Sequence, residues 1–163
     1  MSPAIDIDDA RSPEDIALCR ALFLEYEKAI GVSLDFQGFT EELETLPGAY
    51  ASPRGALLIA RQDGQPAGCA ALRPHQGDEA EIKRLYVRSG RRGLGIGERL
   101  VQALGERARA AGYRALRLDT LASMEAAMRL YARLGFVETP PYHEAMRPGM
   151  RFFRKPLEGP ARR

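Results

Sequence analysis

The sequence predicts an α/β domain. Some segments alternate apolar with polar residues, which is typical of strands, and others repeat apolar residues every three or four positions, which is typical of helices. Their order is β, α, (α), β, β, β, α, β, α, β, β, so a meander of strands leads into βαβ units. With 163 residues and no repeat or low-complexity linker, residues 1–163 are expected to form a single domain.

Composition argues against several classes of protein. Hydrophobic residues make up 45% of the chain, and the formal net charge of +2 is too small to indicate nucleic-acid binding. Cys19 and Cys69 form no CxxC motif and there are only two histidines, so we expect neither a disulfide framework nor a metal site. The acidic start of the chain has no apolar signal and no apolar run reaches about 18 residues, so we expect a cytoplasmic protein with no membrane partner.

The first helix is predicted from its capping residues. Ser12 followed by Pro13 favours a helix start after a short first strand, and Gly31 favours its end. A short helix over Glu41–Leu46 is expected within residues 33–55. This stretch either covers a substrate site or connects two elements.

The later elements follow from the same patterns. An Asp63-Gly64 turn predicts a β-hairpin, and Ser123 is a candidate cap for the last helix. The predicted strands are at 56–62, 65–73, 79–87, 115–121 and 151–157, and a further strand opens at 136–137 and is broken by Pro140-Pro141. The predicted helices run from about 96 to Gly112 and over Ser123–Leu134, and residues 158–163 are expected to form a frayed tail.

A glycine-rich turn between a strand and a helix carries the clearest chemical signal. Gly93, Gly95 and Gly97 let the backbone approach a ligand closely, and the first amides of the following helix favour an anion. Arg91 and Arg92 add positive charge beside the turn. The spacing satisfies neither the dinucleotide-binding nor the P-loop motif, so a plain turn with solvated arginines stays open as the alternative.

Three further features accompany this turn. The preceding strand carries Glu79 and Glu81, Tyr131 lies one turn before the end of the last helix, and both helices belong to one βαβαβ order. With them, the chain resembles the GNAT superfamily of N-acetyltransferases over about residues 56–137. The matches are an Arg/Gln-x-x-Gly-x-Gly/Ala signature at Arg92, Gly95 and Gly97, and an LYxxxGF segment at Leu130, Tyr131, Gly135 and Phe136.

The resemblance implies a fold and a cosubstrate. The fold is a mixed, mostly antiparallel sheet of about six or seven strands with about four helices and a V-shaped splay between strands 4 and 5. The cosubstrate is acetyl-CoA, with no metal. Its pyrophosphate would be held by the backbone amides of Arg92, Gly93, Leu94, Gly95, Ile96 and Gly97. Its pantetheine arm would pair with Leu85, Tyr86 and Val87, and its 3′-phosphate would be reached by Arg133.

The resemblance also assigns catalytic roles. An amide near Leu85 or Tyr86 would polarise the thioester carbonyl, and Tyr131 would protonate the leaving thiolate, with a purely structural core position as its alternative. The chain departs from the pattern at Met124, where many relatives carry an asparagine that helps to hold the pantetheine arm.

Acetyl transfer to an amine requires the neutral amine. An alkyl ammonium of pKa about 10.4 is mostly protonated at pH 7, which costs roughly 4.6 kcal/mol, so a general base would help. Glu81 is the first candidate and Glu79 the second; the alternative for Glu81 is an ion pair with Lys83 or Arg84. Strict alternation places Glu79, Glu81, Lys83, Leu85 and Val87 on one strand face and Ile82 and Tyr86 on the other, unless a β-bulge changes the phase.

The acceptor site is predicted from residues near the central strands. Tyr26, Arg84, Asp119 and Thr120 are expected to contact the acceptor, and Arg84 is expected to pair with Asp119. Asp35, Gln37 and Tyr50 fall within residues 33–55, the segment expected to shape the acceptor site. His75 and His143 are expected in loops without a catalytic role.

We therefore expect an acetyl-CoA-dependent N-acetyltransferase. It would move an acetyl group to the primary amine of a small-molecule or amino-acid-like acceptor by direct attack in a ternary complex. A protein or peptide amine as acceptor, and a non-catalytic acyl-CoA sensor, stay open as alternatives. Because superfamily members are often dimers, a homodimer is a further expectation.

Overall fold

The computed structural model describes residues 3–35, 38–142 and 149–158. Its strands form one seven-stranded sheet in the order β1-β2-β3-β4-β5-β7-β6. The strands are β1 Ile5–Asp9, β2 Ala56–Gln62, β3 Gln65–Pro74, β4 Glu79–Val87, β5 Ala115–Leu121, β6 Val137–Thr139 and β7 Met150–Pro156. The helices are α1 Pro13–Ile30, α2 Phe39–Thr45, α3 Ile96–Ala110 and α4 Glu125–Arg133, with a short 3₁₀ helix at Gly48–Tyr50.

The sheet opens in its middle. Neighbouring strands are antiparallel except for β4 and β5, which are parallel. That pair is formed only by Glu79–Glu81 with Ala115–Arg117, although both strands continue for several residues. The strands therefore diverge towards their carboxyl ends, which confirms the predicted V-shaped splay and the mixed, mostly antiparallel sheet.

Helices cover both faces of the sheet. One core cluster joins α3 and α4 to the sheet through side chains such as Leu58 and Leu100. The other joins α1 and α2 to the opposite face through side chains such as Phe23, Phe39 and Ile59. Leu58 and Ile59 are consecutive residues of β2, so strand alternation sends apolar side chains to both clusters.

A β-bulge interrupts β4 and corrects the predicted alternation. Cys69 on β3 pairs with Tyr86, but Ala71 pairs with Lys83, so β4 carries an extra residue there. Arg84 occupies this bulge with a left-handed φ of 59°. Leu85 and Val87 consequently pack in the same cluster as Ile82, while Tyr86 packs against the other cluster. Strict alternation, which separated Ile82 from Leu85 and Val87, was wrong beyond the bulge.

Most element boundaries agree with the sequence, and α4 is the clearest exception. Ser12 caps α1 by accepting a hydrogen bond from the amide of Asp15 at 3.1 Å. The predicted Ser123 cap is wrong, because α4 begins at Glu125 with Met124 in the capping position. A turn in which the Met124 amide donates to the Leu121 carbonyl at 2.9 Å delays the start of this helix.

Some predictions fall outside the described residues. Gln37, His143 and residues 159–163 of the predicted frayed tail belong to this group. In the described ranges, no helix combines the length and the apolar character needed to cross a membrane.

Candidate active site

A large cleft lies where β4 and β5 separate. Its volume is about 710 Å³, within the range of small-molecule sites. The predicted cofactor-binding residues Leu85, Tyr86, Val87, Arg92, Gly93, Gly95, Ile96, Gly97 and Arg133 all line it. Leu94 does not line it and is instead an exposed side chain on the same turn.

The turn before α3 is shaped for an anion. Gly93 and Gly95 have left-handed φ values of 82° and 77°, and Gly95 directly precedes the first residue of α3. The first amides of a helix have no intrahelical acceptor, and the helix dipole favours negative charge there. Arg91, Arg92, Arg129 and Arg133 add positive charge around the cleft, and Arg133 also lies 3.6 Å from Glu98.

A smaller cavity adjoins this cleft. It measures about 40 Å³ and shares Tyr26, Ile30, Leu85 and Met124 with the cleft. The four predicted acceptor residues, Tyr26, Arg84, Asp119 and Thr120, all line it, together with Tyr131 and Lys83. The bulge in β4 lies between the two spaces, because Leu85 contacts both.

Tyr131 and Tyr26 both line the small cavity. The ring of Tyr131 packs edge-on against Phe136 at a centroid distance of 5.6 Å, so its side chain belongs to the core as well as to the cavity wall. Burial raises the pKa of Tyr131 well above its ordinary value and raises the pKa of Tyr26 to about 12. Both phenols are therefore protonated at neutral pH.

A buried ion network backs the cavity. The ammonium of Lys83 lies 3.4 Å from Asp119 and 4.0 Å from Glu81. Arg73 lies 2.8 Å from Glu81, and the Tyr142 hydroxyl donates to the same carboxylate at 2.7 Å. Burial alone would raise the pKa of Glu81, but Lys83, Arg73 and the Tyr142 hydroxyl together hold it below its ordinary value.

The two predicted glutamates do not line either space. Glu81 contacts Lys83, which lines the small cavity, at 4.0 Å. Glu79 forms ion pairs with Arg117 and with Arg154, the latter at 3.0 Å. Burial alone would raise the pKa of Glu79, but the contacts with Arg117 and Arg154 hold it below its ordinary value.

Arg84 makes a different ion pair from the one the sequence predicted. Its guanidinium donates two hydrogen bonds to Glu42 on α2, at 2.9 and 2.8 Å, whereas Asp119 pairs with Lys83. This contact joins the bulge of β4 to α2. Sequence reasoning missed Glu42 and Tyr142 as parts of the site, and it named Lys83 only as an alternative ion-pair partner of Glu81, a contact that forms at 4.0 Å. Lys83 carried a signal, since an ammonium within a predicted central strand needs a partner.

Two weaker candidates, Tyr50 and His75, pack against aromatic side chains. Tyr50 is buried beside Phe23, at a ring-centroid distance of 6.2 Å, and does not line the small cavity. His75 packs edge-on against Tyr142 at 4.8 Å. Among the described residues, no group of three or more His, Cys, Asp or Glu side chains is placed to hold a metal ion.

Comparisons with known proteins agree on one family. The profile of the Acetyltransferase (GNAT) family matches residues 19–136. An uncharacterized N-acetyltransferase of Schizosaccharomyces pombe is 36% identical over 157 residues, which cover 94% of this chain and 96% of that protein.

Solved structures show the same fold. A GNAT-family acetyltransferase of Staphylococcus aureus matches with a TM-score of 0.80 at 20% identity, covering 95% of this chain and 100% of the other. N-acetylglutamate synthase of Neisseria gonorrhoeae, solved with coenzyme A and N-acetylglutamate, matches with a TM-score of 0.70 at 22% identity, covering 97% of this chain and 36% of the other.

The split sheet, the glycine turn and these matches define an acyltransferase that uses a coenzyme A thioester. The chain belongs to the GNAT family of acetyltransferases. It is an acetyl-CoA-dependent N-acetyltransferase, as the resemblance predicted.

Proposed function

We propose that the protein transfers the acetyl group of acetyl-CoA to the primary amine of a small molecule by direct attack in a ternary complex. The observation that carries this proposal is the size of the two adjoining spaces. The cleft of about 710 Å³ has room for a large cosubstrate, whereas the cavity of about 40 Å³ beside Tyr131 has room for a few water molecules. So small a cavity favours a small acceptor over a folded protein or a long peptide.

Acetyl-CoA would lie along the opening between β4 and β5. The amides of the Arg92–Gly97 turn would hold the pyrophosphate, and Arg133, the last residue of α4 and part of the cleft wall, would reach the 3′-phosphate. The pantetheine arm would extend along Leu85–Val87, the part of β4 that β5 leaves unpaired. Leu85 follows the bulge of β4 and lines both spaces, and a backbone amide near it would polarise the thioester carbonyl.

The chemistry needs one bond formed, one broken and two protons moved. The lone pair of the neutral amine forms a C–N bond with the thioester carbonyl carbon, and the C–S bond then breaks. The nitrogen loses one proton, and the thiolate gains one. A protonated amine must lose a further proton first, at the cost given by its pKa.

Asp119 is the carboxylate best placed to accept that proton. It lines the small cavity and its side chain is 10% exposed, whereas Glu81 lines neither space and contacts Lys83 at 4.0 Å. Glu81 would act through Lys83 as a positioning residue, because it holds the ammonium that in turn contacts Asp119. This proposal keeps Glu81 in the network and moves the direct contact with the acceptor to Asp119.

Tyr131 would protonate the thiolate. A phenol with a raised pKa stays protonated during binding and can donate once negative charge develops on sulfur. Because a thiol of pKa about 8.5 is already a fair leaving group, this donation accelerates the reaction without being indispensable.

The experiment that tests the proposal is thiol release from acetyl-CoA across amino acids, polyamines, aminoglycosides and short peptides, with the acetylated product identified by mass. Turnover with a small amine supports it. Turnover with peptides alone would assign a protein or peptide acceptor, and coenzyme A binding without turnover on any amine would assign an acyl-CoA sensor; either result overturns the proposal.

A further inference from the structure

We infer that Glu42 of α2 is a positioning residue for acetyl transfer and acts on the thioester through Arg84 and the backbone of β4. Glu42 itself lines neither the cleft nor the small cavity. The inference rests on the proposed function and names a residue that controls the same site. It follows from the left-handed backbone of Arg84, from the direction of the next peptide unit and from the contact between Arg84 and Glu42.

Arg84 has a backbone conformation that an arginine adopts only at a cost. Its φ of 59° lies in the left-handed region, at the bulge of β4. For a residue with a Cβ atom, strain of this kind disfavours the conformation by roughly 5- to 150-fold in an equilibrium constant. Such a conformation persists only where surrounding contacts hold it, and conformations of this kind cluster at active sites.

The peptide unit that follows Arg84 carries the amide of Leu85. Its carbonyl oxygen accepts a hydrogen bond at 3.4 Å from the buried thiol of Cys69 on β3. Because this peptide is trans, its N–H points opposite to its carbonyl, away from Cys69 and β3. On the other side of β4 lies β5, which pairs with β4 only at Glu79–Glu81. Leu85 lines both spaces, so we assign its amide to the thioester carbonyl.

Glu42 restrains the side chain of Arg84 from α2. Hydrogen bonds of 2.9 and 2.8 Å join the two side chains in a bidentate contact, and the side chain of Arg84 is 3% exposed. The guanidinium also lies over the ring of Phe39, one turn earlier in α2, at 5.1 Å. A bidentate contact fixes the direction of a guanidinium as well as its distance. Removal of the Glu42 carboxylate would therefore let the Arg84 backbone relax and turn the Leu85 N–H.

Glu42→Ala should lower kcat by about 10- to 100-fold with the amine that the panel identifies. This is less than the roughly 100- to 1000-fold cost of losing a whole oxyanion donor, because the donor is displaced rather than removed. The Kd of coenzyme A should change by less than about twofold, since the glycine turn is untouched. The matched control is Glu44→Ala, an exposed glutamate of α2, which should keep the kcat of the parent. An unchanged kcat in Glu42→Ala would contradict the inference.

Infrared spectra of bound acetyl-CoA test the positioning without an acceptor. Acetyl-CoA that is isotope-labelled at the thioester carbonyl reports the C=O stretch, whose frequency falls as a hydrogen bond to the carbonyl strengthens. We expect a lower frequency for acetyl-CoA bound to the parent and to Glu44→Ala than for free acetyl-CoA, and a smaller shift in Glu42→Ala. No shift in the parent, or the same shift in Glu42→Ala as in the parent, would overturn the inference.

A substitution at Arg84 tests whether the effect passes through its backbone. Glycine adopts a left-handed φ without a Cβ penalty, so Arg84→Gly does not need the side-chain restraint. The carbonyl shift should persist in Arg84→Gly, and adding Glu42→Ala should not reduce it. A shift that Arg84→Gly loses as fully as Glu42→Ala would show that the side-chain pair only anchors α2, which contradicts the inference.

A milder variant covers the case in which Glu42→Ala does not fold. Glu42→Gln keeps the shape of the side chain and one acceptor oxygen, so its carbonyl shift should be intermediate, and a full shift would refute the inference. The outcomes also separate the inference from the proposed function. Absence of thiol release with every amine, including the peptides, refutes the proposed function. Thiol release with a carbonyl shift that does not depend on Glu42 refutes only the inference.

Discussion

In the proposed mechanism, Tyr131 would serve the core with its ring and the reaction with its hydroxyl. Its ring packs between Phe136 and Phe153, and it lines the small cavity beside Tyr26 and Asp119. Removing only the hydroxyl therefore leaves the ring packing in place. That makes Tyr131→Phe a selective change.

We expect Tyr131→Phe to lower kcat by about 10- to 100-fold, at the low end of general acid catalysis, because the thiolate loses its proton donor. The KM for acetyl-CoA should change little. The matched control is Tyr113→Phe. The hydroxyl of Tyr113 donates a hydrogen bond to the Arg54 carbonyl at 2.7 Å, and Tyr113 lines neither the cleft nor the small cavity. Steady-state kinetics measures both variants, and an unchanged kcat in Tyr131→Phe would remove the proton-donor role.

The cosubstrate end of the cleft gives a second prediction at this scale. Arg133→Ala should weaken binding of coenzyme A by about two- to fivefold, the size expected for an exposed charge pair, and should leave binding of 3′-dephospho-coenzyme A unchanged. Calorimetry with the two ligands measures this, with Arg109→Ala on the exposed side of α3 as control. Equal losses for both ligands would show that Arg133 does not contact the 3′-phosphate.

At the scale of single elements, β4 determines the geometry of the site. Its bulge brings Arg84 and Leu85 to the small cavity and turns Tyr86 to the opposite core cluster. The left-handed backbone of Arg84 is held by the bidentate contact with Glu42. Close approach of β3 to this region depends on Gly68, where a Cβ atom would overlap the Tyr86 carbonyl oxygen.

We therefore expect Gly68→Ala to destabilise the protein by about 1–3 kcal/mol, the usual cost of overpacking a core. Gly105→Ala is the matched control: Gly105 lies within α3 with open space around the added methyl, and alanine there should stabilise by about 0.5–1 kcal/mol. Urea unfolding of both variants measures the two effects. A Gly68→Ala variant as stable as the parent would contradict the close approach of β3 to β4.

The sequence predicted individual turns, caps and helix starts well wherever the signal came from neighbouring residues. Three features depend only on neighbouring residues, and all three form as predicted: the hairpin turn at Asp63-Gly64, the cap at Ser12 and the glycine turn before α3. The bulge at Arg84 depends on β3, and the ion pairs of Lys83 and Arg84 join distant segments. Spacing along one chain carries no information on such pairings, so the residues that line the two spaces were predicted more completely than the ion pairs around them.

At the scale of the whole molecule, several ion pairs lower the pKa of a glutamate, and this makes the free energy of unfolding depend on pH. Hydrogen bonds from Arg88 lower the pKa of Glu25, and the pKa values of Glu79 and Glu81 are also below their ordinary values. In the unfolded chain these groups bind protons near pH 4.3, before the folded protein does. Their stabilising effect is therefore present above that pH and is lost as the pH falls towards their folded pKa values.

Urea unfolding between pH 7 and pH 3 should accordingly show a steep loss of stability below about pH 4.3. Glu81→Gln should reduce this pH dependence, whereas the control Glu106→Gln on the exposed side of α3 should keep it. The same slope in the parent and in Glu81→Gln would contradict the role of the Arg73–Glu81–Lys83 network. The expected homodimer stays a prediction, and light scattering on the same samples measures it.

The central claim is that the opening between β4 and β5, together with the turn before α3, binds acetyl-CoA. Isothermal titration of the purified protein with coenzyme A tests it most directly. The account predicts one-to-one binding that acetyl-CoA displaces and that Gly97→Val weakens, because Gly97 lines the cleft and a valine side chain there would occupy space beside Leu130, which lies 3.2 Å from a Cβ at this position. No detectable binding of coenzyme A, or binding that Gly97→Val leaves unchanged, would contradict it.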